Sequence, residues 1–199
     1  MKKLILISIA VSSLFFSSCN NKTNDGDASN SGDSTDAKKV AIDSNKEKFN
    51  DAEIKPDTKF AVAAADGGMF EVELGKLALT KGNSPEIKKF GQMMIDDHGK
   101  ANEELKNLAA GKNISLPLAL GDSYQNKVKD MTAKTGNDFD KAYSSLMVSD
   151  HKEDIEHFKK EAEDGKDAEI KAWAAGKLST LEHHLQMAES AEKMVKDKK

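Results

Sequence analysis

Between residues 56 and 196, four long segments repeat apolar residues at the three- and four-residue spacing of amphipathic helices. Ser84 and Pro85 supply an N-cap and a first-turn proline for the second segment, and a glycine follows the second and third. The segments run from Pro56 to Lys81, from Ser84 to Gly111, from Asn137 to Gly165 and from Asp167 to Val195. No strand pattern competes with them, so the spacing predicts an all-α domain over residues 56–196.

The connection between the second and third helices is about 25 residues long, which is far more than two neighbouring antiparallel helices need. It contains a short helical pattern from Asp122 to Thr135. A connection of this length can return the chain to the end where the second helix began, which makes helices two and three parallel. We therefore predict a ferritin-like four-helix bundle with a long crossover containing a short helix. The alternative is an up-and-down bundle in which Asp122–Thr135 is a kinked extension of helix three.

The first 18 residues have the three-part form of an export signal. Lys2 and Lys3 precede an apolar run, Leu4–Phe16, that is too short to span a bilayer as a helix. Phe16-Ser17-Ser18-Cys19 then resembles the cleavage box of bacterial lipoproteins, with Phe in place of the usual Leu. We predict that residues 1–18 are a lipoprotein signal peptide and that Cys19 carries the lipid. The alternative, a secretory signal with a lone thiol, is disfavoured because such a thiol is a liability in an oxidising envelope.

This assignment predicts a location and a way of attachment. A lipid on Cys19 would hold the protein to a membrane of the cell envelope, and Asn20, in place of an Asp, favours the outer membrane. Residues 19–55 are rich in Asn, Asp, Ser, Gly and Lys, so they bury too little apolar surface to offset the entropy of ordering. We predict a disordered tether there, with a weak helix between Ala41 and Phe49.

The charged residues argue against one class of partner. The chain has 34 acidic residues against 30 basic ones, for a net charge of −4, and every basic residue is Lys. Arg is the side chain best suited to bidentate recognition of phosphates and base edges. Its absence predicts that the protein does not bind nucleic acid. No sequence feature indicates a particular protein partner or substrate.

One short motif appears on both middle helices. Met-Ile-Asp-Asp-His at Met94–His98 recurs as Met-Val-Ser-Asp-His at Met147–His151, each near the midpoint of its helix. On each helix the apolar residues form a stripe that we expect to face the interior of the bundle. Glu71 lies on this inner stripe in the first helix and His184 lies on it in the fourth, both near the middle of the helix. Inward-facing residues at one depth of a bundle converge, so we expect these side chains to meet.

Imidazoles and carboxylates together suit Zn²⁺, Fe²⁺ or Mn²⁺. The predicted ligands are Glu71, His98, His151 and His184, with Asp97 and Asp150 beside them as further ligands or as partners that orient the imidazoles. We prefer Glu71 over Glu73, which lies off the stripe. His183 lies one position off its stripe, and His157 and Glu182 lie on charged faces.

Two other interpretations of these residues stay open. Buried histidines are often hydrogen-bonded to neighbouring carboxylates, in which case the cluster is a polar layer without a metal. Met94 and Met147 each lie four residues before a stripe His, a spacing that could also serve copper. Methionine at such a position more often fills the core, so we regard copper as the less favoured metal.

Several stretches of the sequence resemble those of one protein family. Phe60–Gly68, Glu71–Ala78, Met94–His98 with Ala101–Leu105, and Tyr143–His151 are similar to an uncharacterised family of bacterial exported or outer membrane proteins with a ferritin-like bundle. The resemblance covers about Lys59 to Met194 and implies an all-helical exported domain of unknown activity. It supplies no substrate and no catalytic residue.

Likeness to ferritin-type bundles would further imply a dinuclear iron site. Such sites use a Glu three residues before a ligating His, but Ile95 and Leu181 hold these positions here. We therefore expect one metal ion rather than two. Three functions remain as hypotheses: a metal-binding envelope domain, a cofactor-free structural or interaction module, and a redox enzyme acting on oxygen or peroxide. The last rests only on likeness of fold.

Overall fold

The computed structural model describes residues 36–49 and 55–197, and every regular element in them is a helix. The helices are α1 (Ala37–Lys48), α2 (Lys55–Lys81), α3 (Pro85–Gly111), α4 (Asp122–Thr132), α5 (Gly136–Asp164) and α6 (Ala168–Asp197). This confirms the predicted all-α fold. The predicted signal peptide, Cys19 and the first part of the predicted tether lie outside the described residues.

The helix ends follow the predicted capping signals closely. The Ser84 side chain accepts a hydrogen bond from the backbone of Ile87, and Pro85 occupies the first turn of α3. Capping of this kind satisfies an amide that otherwise has no partner at a helix start. Only α4 differs noticeably, because it ends at Thr132 rather than Thr135.

Contacts between helix ends give the directions of α3 and α5. Asp140, near the start of α5, accepts a hydrogen bond of 2.8 Å from the backbone of Ser84, which caps the start of α3. At the other end, Lys112 after α3 pairs at 2.7 Å with Asp167, which follows α5. The two helices therefore run parallel, as the crossover prediction requires, and the up-and-down alternative is wrong.

The crossover returns along the outside of α2. Asp66 of α2 accepts a hydrogen bond of 2.8 Å from the backbone of Gly121, just before α4. The rings of Phe70 and Tyr124 then stack with centroids 4.2 Å apart. These contacts make α4 a separate helix packed on the bundle.

Helix α1 corrects the predicted extent of the tether. The weak helix expected at Ala41–Phe49 is longer, Ala37–Lys48, and it packs against the bundle. Buried Asn45 donates a hydrogen bond of 2.8 Å to the Ser115 carbonyl and accepts one of 2.7 Å from the Ser115 amide. Composition alone could not reveal this pairing, because it joins residues that are far apart in the chain.

Apolar clusters lie on both sides of the bundle's midpoint. The main cluster includes Phe70, Phe90, Met94 and Met147, on the side toward Ser84. Two smaller clusters lie on the opposite side, one around Ala61 and Leu105 and one around Ile155 and Phe158. The polar side chains of the four long helices occupy the level between them.

Helices α2 and α3 approach each other closely at two glycines, Gly75 and Gly91. A Cβ on Gly91 would lie 2.6 Å from the Ala78 Cβ and 2.9 Å from the Gly75 carbonyl oxygen. Gly75 lies one turn after Glu71, and Gly91 lies two turns before His98. The close approach therefore helps to bring those two side chains together.

We expect Gly91→Ala to destabilise the domain by about 1–3 kcal/mol, because the added methyl group overpacks this contact. The matched control is Gly176→Ala in α6, where an added Cβ meets nothing within 4 Å. That change should stabilise the domain by up to about 1 kcal/mol through helix propensity. Urea denaturation of both variants measures the difference, and equal effects would contradict the packing argument.

Candidate metal site

Four side chains predicted as ligands meet in the interior of the bundle. Glu71, His98, His151 and His184 are each 0–7% exposed. One ring nitrogen from each histidine lies within 4.8 Å of one from each of the others. The predicted convergence is therefore observed, and the role of these residues as metal ligands stays a prediction.

Glu71 joins two of the three histidines. Its Oε2 atom lies 2.7 Å from His98 Nδ1, and its Oε1 atom lies 3.3 Å from His151 Nε2. A single carboxyl group from α2 thus contacts imidazoles from both α3 and α5. The helical spacing predicted that Glu71 faces inward, but it gave no indication that Glu71 bridges two rings.

Acceptors outside the cluster fix the protons on two rings. His151 Nδ1 donates to the Met147 carbonyl at 3.0 Å, and His184 Nε2 donates to Asp97 Oδ2 at 2.8 Å. Each ring therefore keeps a lone pair on its other nitrogen, as a metal-ligating histidine requires. Partners of this kind orient the imidazoles before any ion arrives.

The third ring, His98, completes the arrangement. Its Nε2 atom lies 3.2 Å from His184 Nδ1. Two nitrogen ligands of a tetrahedral Zn²⁺ ion are about 3.3 Å apart when the Zn–N bonds are about 2.0–2.1 Å. The same spacing also suits a hydrogen bond between the two rings, which gives a metal-free chain from Glu71 through His98 and His184 to Asp97.

Two polar atoms in this cluster lack partners. Glu71 Oε1 and His151 Nε2 are buried and face each other at 3.3 Å, yet neither makes a hydrogen bond to any described residue. An unsatisfied buried polar group costs about 1–3 kcal/mol, and more when it is charged. A cation between the two atoms would satisfy both.

Burial keeps the imidazoles neutral. It lowers the pKa of His98 and of His184 to about 4 and that of His151 to about 3. Burial also raises the pKa of Glu71 well above its usual value, and the charge of Asp150 adds to the effect. At neutral pH the histidines therefore offer lone pairs. Burial also favours the protonated form of Glu71, whose proton a cation would displace on binding.

The two flanking aspartates have different positions. Asp97 is exposed and contacts His184 on α6, not the histidine next to it in sequence. Asp150 is buried and belongs to a second group, in which one oxygen each from Glu71, Asp150 and Asp154 lie within 4.8 Å of one another. Asp154 was not among the predicted ligands, although its spacing of four residues from Asp150 places both on one face of α5.

A cavity of about 130 Å³ adjoins the site. Its lining runs from buried Glu71, His98 and His184 to the exposed Asp97 and Lys100. Trp173 and Phe158 contribute apolar surface to the wall. The cavity therefore connects the imidazole cluster with the surface and is large enough to admit an ion or a small molecule.

The remaining sequence candidates lie outside the cluster. His157, His183 and Glu182 are exposed, and partly buried Glu73 pairs with Lys76 at 2.6 Å. Met94 and Met147 belong to the main apolar cluster, so their side chains fill the core. These positions agree with the preference for Glu71 and His184 over their neighbours.

The protein is a four-helix bundle with one long crossover. Three buried imidazoles near the middle of the bundle place it in the class of helical domains with a polar interior. The family model of a domain of unknown function, DUF4142, matches residues 44–191. The chain belongs to this family, which confirms the predicted likeness to an uncharacterised family. We found no match to the chain among curated proteins or among solved structures.

Proposed function

We propose that the domain binds a divalent transition-metal ion through His98, His151, His184 and Glu71. One observation carries the proposal: Glu71 Oε1 and His151 Nε2 face each other in the interior, 3.3 Å apart, without hydrogen bonds to any described residue. Two further imidazoles adjoin this pair. A cation would satisfy both orphaned atoms and complete a set of three nitrogens and one oxygen.

The donor set favours Zn²⁺, Fe²⁺ or Mn²⁺. Imidazole binds zinc and iron well, and the carboxylate also suits manganese. Copper is less favoured because the nearby methionines serve the apolar core. We infer that the domain stores, senses or transfers a transition-metal ion.

The metal-free alternative is a structural or interaction module. The hydrogen-bonded chain Glu71–His98–His184–Asp97 favours it, because each link is already within 3.2 Å. Such a layer would fix the register of the helices. It leaves the contact between Glu71 and His151 unsatisfied, and for that reason we prefer the metal-binding function.

We place this function at the cell envelope, on a lipoprotein attached through Cys19 and, by preference, at the outer membrane. The support is the sequence of residues 1–20. Among residues 36–49 and 55–197, no helix is both long and apolar enough to cross a membrane. Radiolabelled palmitate incorporation, compared between the wild type and Cys19→Ala, tests the anchor.

His184→Ala should remove the bound metal, while His183→Ala should retain it. The two residues are neighbours on α6, but His184 is buried against His98 and His183 is exposed. Loss of a ligand should weaken binding by more than the roughly 10- to 100-fold that loss of an orienting partner causes. Elemental analysis of untagged protein, purified without chelator, measures the bound metal.

Circular dichroism of both variants shows whether the helices remain intact. If the wild type carries no metal and takes none up after dialysis against Zn²⁺, Fe²⁺ or Mn²⁺, the proposal fails and the metal-free module is favoured. Equal metal content in folded His184→Ala and in His183→Ala would also exclude the assigned ligands.

A further inference from the structure

Next to the histidine cluster lies a group of three carboxyl side chains. One oxygen each from Glu71, Asp150 and Asp154 lie within 4.8 Å of one another. Asp150 and Asp154 are one turn apart on α5, which places them on the same face of that helix. Glu71 reaches them from α2, so it belongs to both groups.

Asp150 supplies an observation that the histidine site does not use, which is a buried oxygen without a partner. Asp150 Oδ2 and Glu71 Oε1 are buried and accept no hydrogen bond from any described residue. Asp150 is 7% exposed and Glu71 is 1% exposed. Carboxyl groups this deeply buried usually have a partner or bind a metal ion.

Lys127, whose charge acts on Asp150, contacts aromatic rings instead. The Nζ atom of Lys127 on α4 lies over the Tyr124 ring, 5.0 Å from its centroid, and 5.6 Å from the Phe70 centroid. In the described part of the chain, no lysine forms an ion pair with Glu71, Asp150 or Asp154 within 4.0 Å. The three carboxyl groups therefore lie close together without a lysine in direct contact.

The geometry points to a second divalent cation held by Glu71, Asp150 and Asp154, beside the ion that the histidines hold. This inference rests on the proposed function and deepens it, because Glu71 would be shared between the two ions. The site would then be dinuclear, in place of the single ion predicted from the missing Glu-x-x-His motifs.

The two positions would differ in chemistry. Three imidazoles and a carboxylate favour zinc or iron, whereas an all-oxygen set favours harder cations such as Mn²⁺ or Mg²⁺. Asp154 is partly exposed and lines the 130 Å³ cavity. The second ion would thus lie closer to solvent, where water molecules can complete its coordination.

The experiment titrates Mn²⁺ into the chelator-treated full chain and counts bound ions by equilibrium dialysis and elemental analysis. We expect two Mn²⁺ per wild-type chain, with an exchange-coupled electron paramagnetic resonance signal. Asp154→Asn should bind one ion at the concentration that saturates the wild type and should show an uncoupled signal. Glu153→Gln, an exposed neighbour on α5, is the matched control and should still bind two.

The outcomes separate this inference from the proposed function. A wild-type chain that binds a single ion, Zn²⁺, when Zn²⁺ and Mn²⁺ are both supplied overturns the second site and leaves the histidine site in place. A chain that binds neither metal overturns both. Two ions in Asp154→Asn at unchanged affinity would exclude these carboxylates as ligands. If circular dichroism shows that Asp154→Asn is unfolded, the wild-type count and its spin coupling decide the question by themselves.

Discussion

Saturating Zn²⁺ should raise the thermal midpoint of the metal-free wild-type protein by about 8–16 °C. An ion that binds only the folded state stabilises it by about 4.1 kcal/mol at a concentration 1,000 times the Kd. Each kcal/mol shifts the midpoint of a chain of 150–250 residues by about 2–4 °C. The ion should bind only the folded state because the four ligands come from four helices and meet only when the bundle is folded. Differential scanning calorimetry with and without Zn²⁺ measures the shift.

The same addition should leave the midpoint of His184→Ala nearly unchanged, and His183→Ala should respond like the wild type. A chelator should reverse the shift in the wild type. If all three proteins gain the same stability, the ion binds somewhere other than at the buried imidazoles, for example at exposed acidic groups.

Affinity for the metal should rise steeply with pH between about 5 and 8, roughly tenfold per pH unit for each proton displaced. The affinity rises with pH, and does not fall, because of the carboxyl groups. Burial raises the pKa of Glu71 and of Asp154 well above normal and raises that of Asp150 to about 6. These groups hold protons in the metal-free protein at pH values where ordinary carboxylates are ionised. A cation must displace those protons, so acid weakens binding and base strengthens it.

The imidazoles should contribute little to this dependence above pH 5. Their pKa values in the folded protein, about 3 to 4, leave them neutral throughout that range. Isothermal titration calorimetry in buffers of different ionisation enthalpy counts the protons released on binding. The count at pH 7 should be at least one in the wild type and smaller in Glu71→Gln, which has no proton to lose. Binding that is independent of pH between 5 and 8 would contradict a protonated Glu71.

Much of the fold was predictable because its signals are local. Helix spacing, Ser84-Pro85 and the glycines after α3 and α5 mark elements that agree with the structure to within a few residues. The direction of α5 was predictable as well, since a crossover of that length favours a parallel pair. The placement of α1 was not, because the Asn45 contacts with Ser115 depend on the folded loop before α4.

The sequence predicted which residues form the candidate site and at what level of the bundle they lie. It did not predict which of their atoms are in contact. The stripes place Glu71, His98, His151 and His184 on inner faces near mid-helix, and the structure brings all four together. A stripe does not specify side-chain rotamers or distances across helices. For that reason Asp97 was predicted as a partner for an imidazole but was not assigned to His184, and the grouping of Asp154 with Glu71 was not predicted.

The sequence by itself determined that four amphipathic helices form, which residues each helix turns inward and that those residues lie at one level. Helical period and capping suffice for this, because both act within a few residues along the chain. Only the tertiary structure decided which atoms face each other: Glu71 between His98 and His151, and the carboxyl groups of Asp150 and Asp154 beside it. Those contacts depend on how closely the helices approach, which Gly75 and Gly91 permit through packing between residues far apart in sequence.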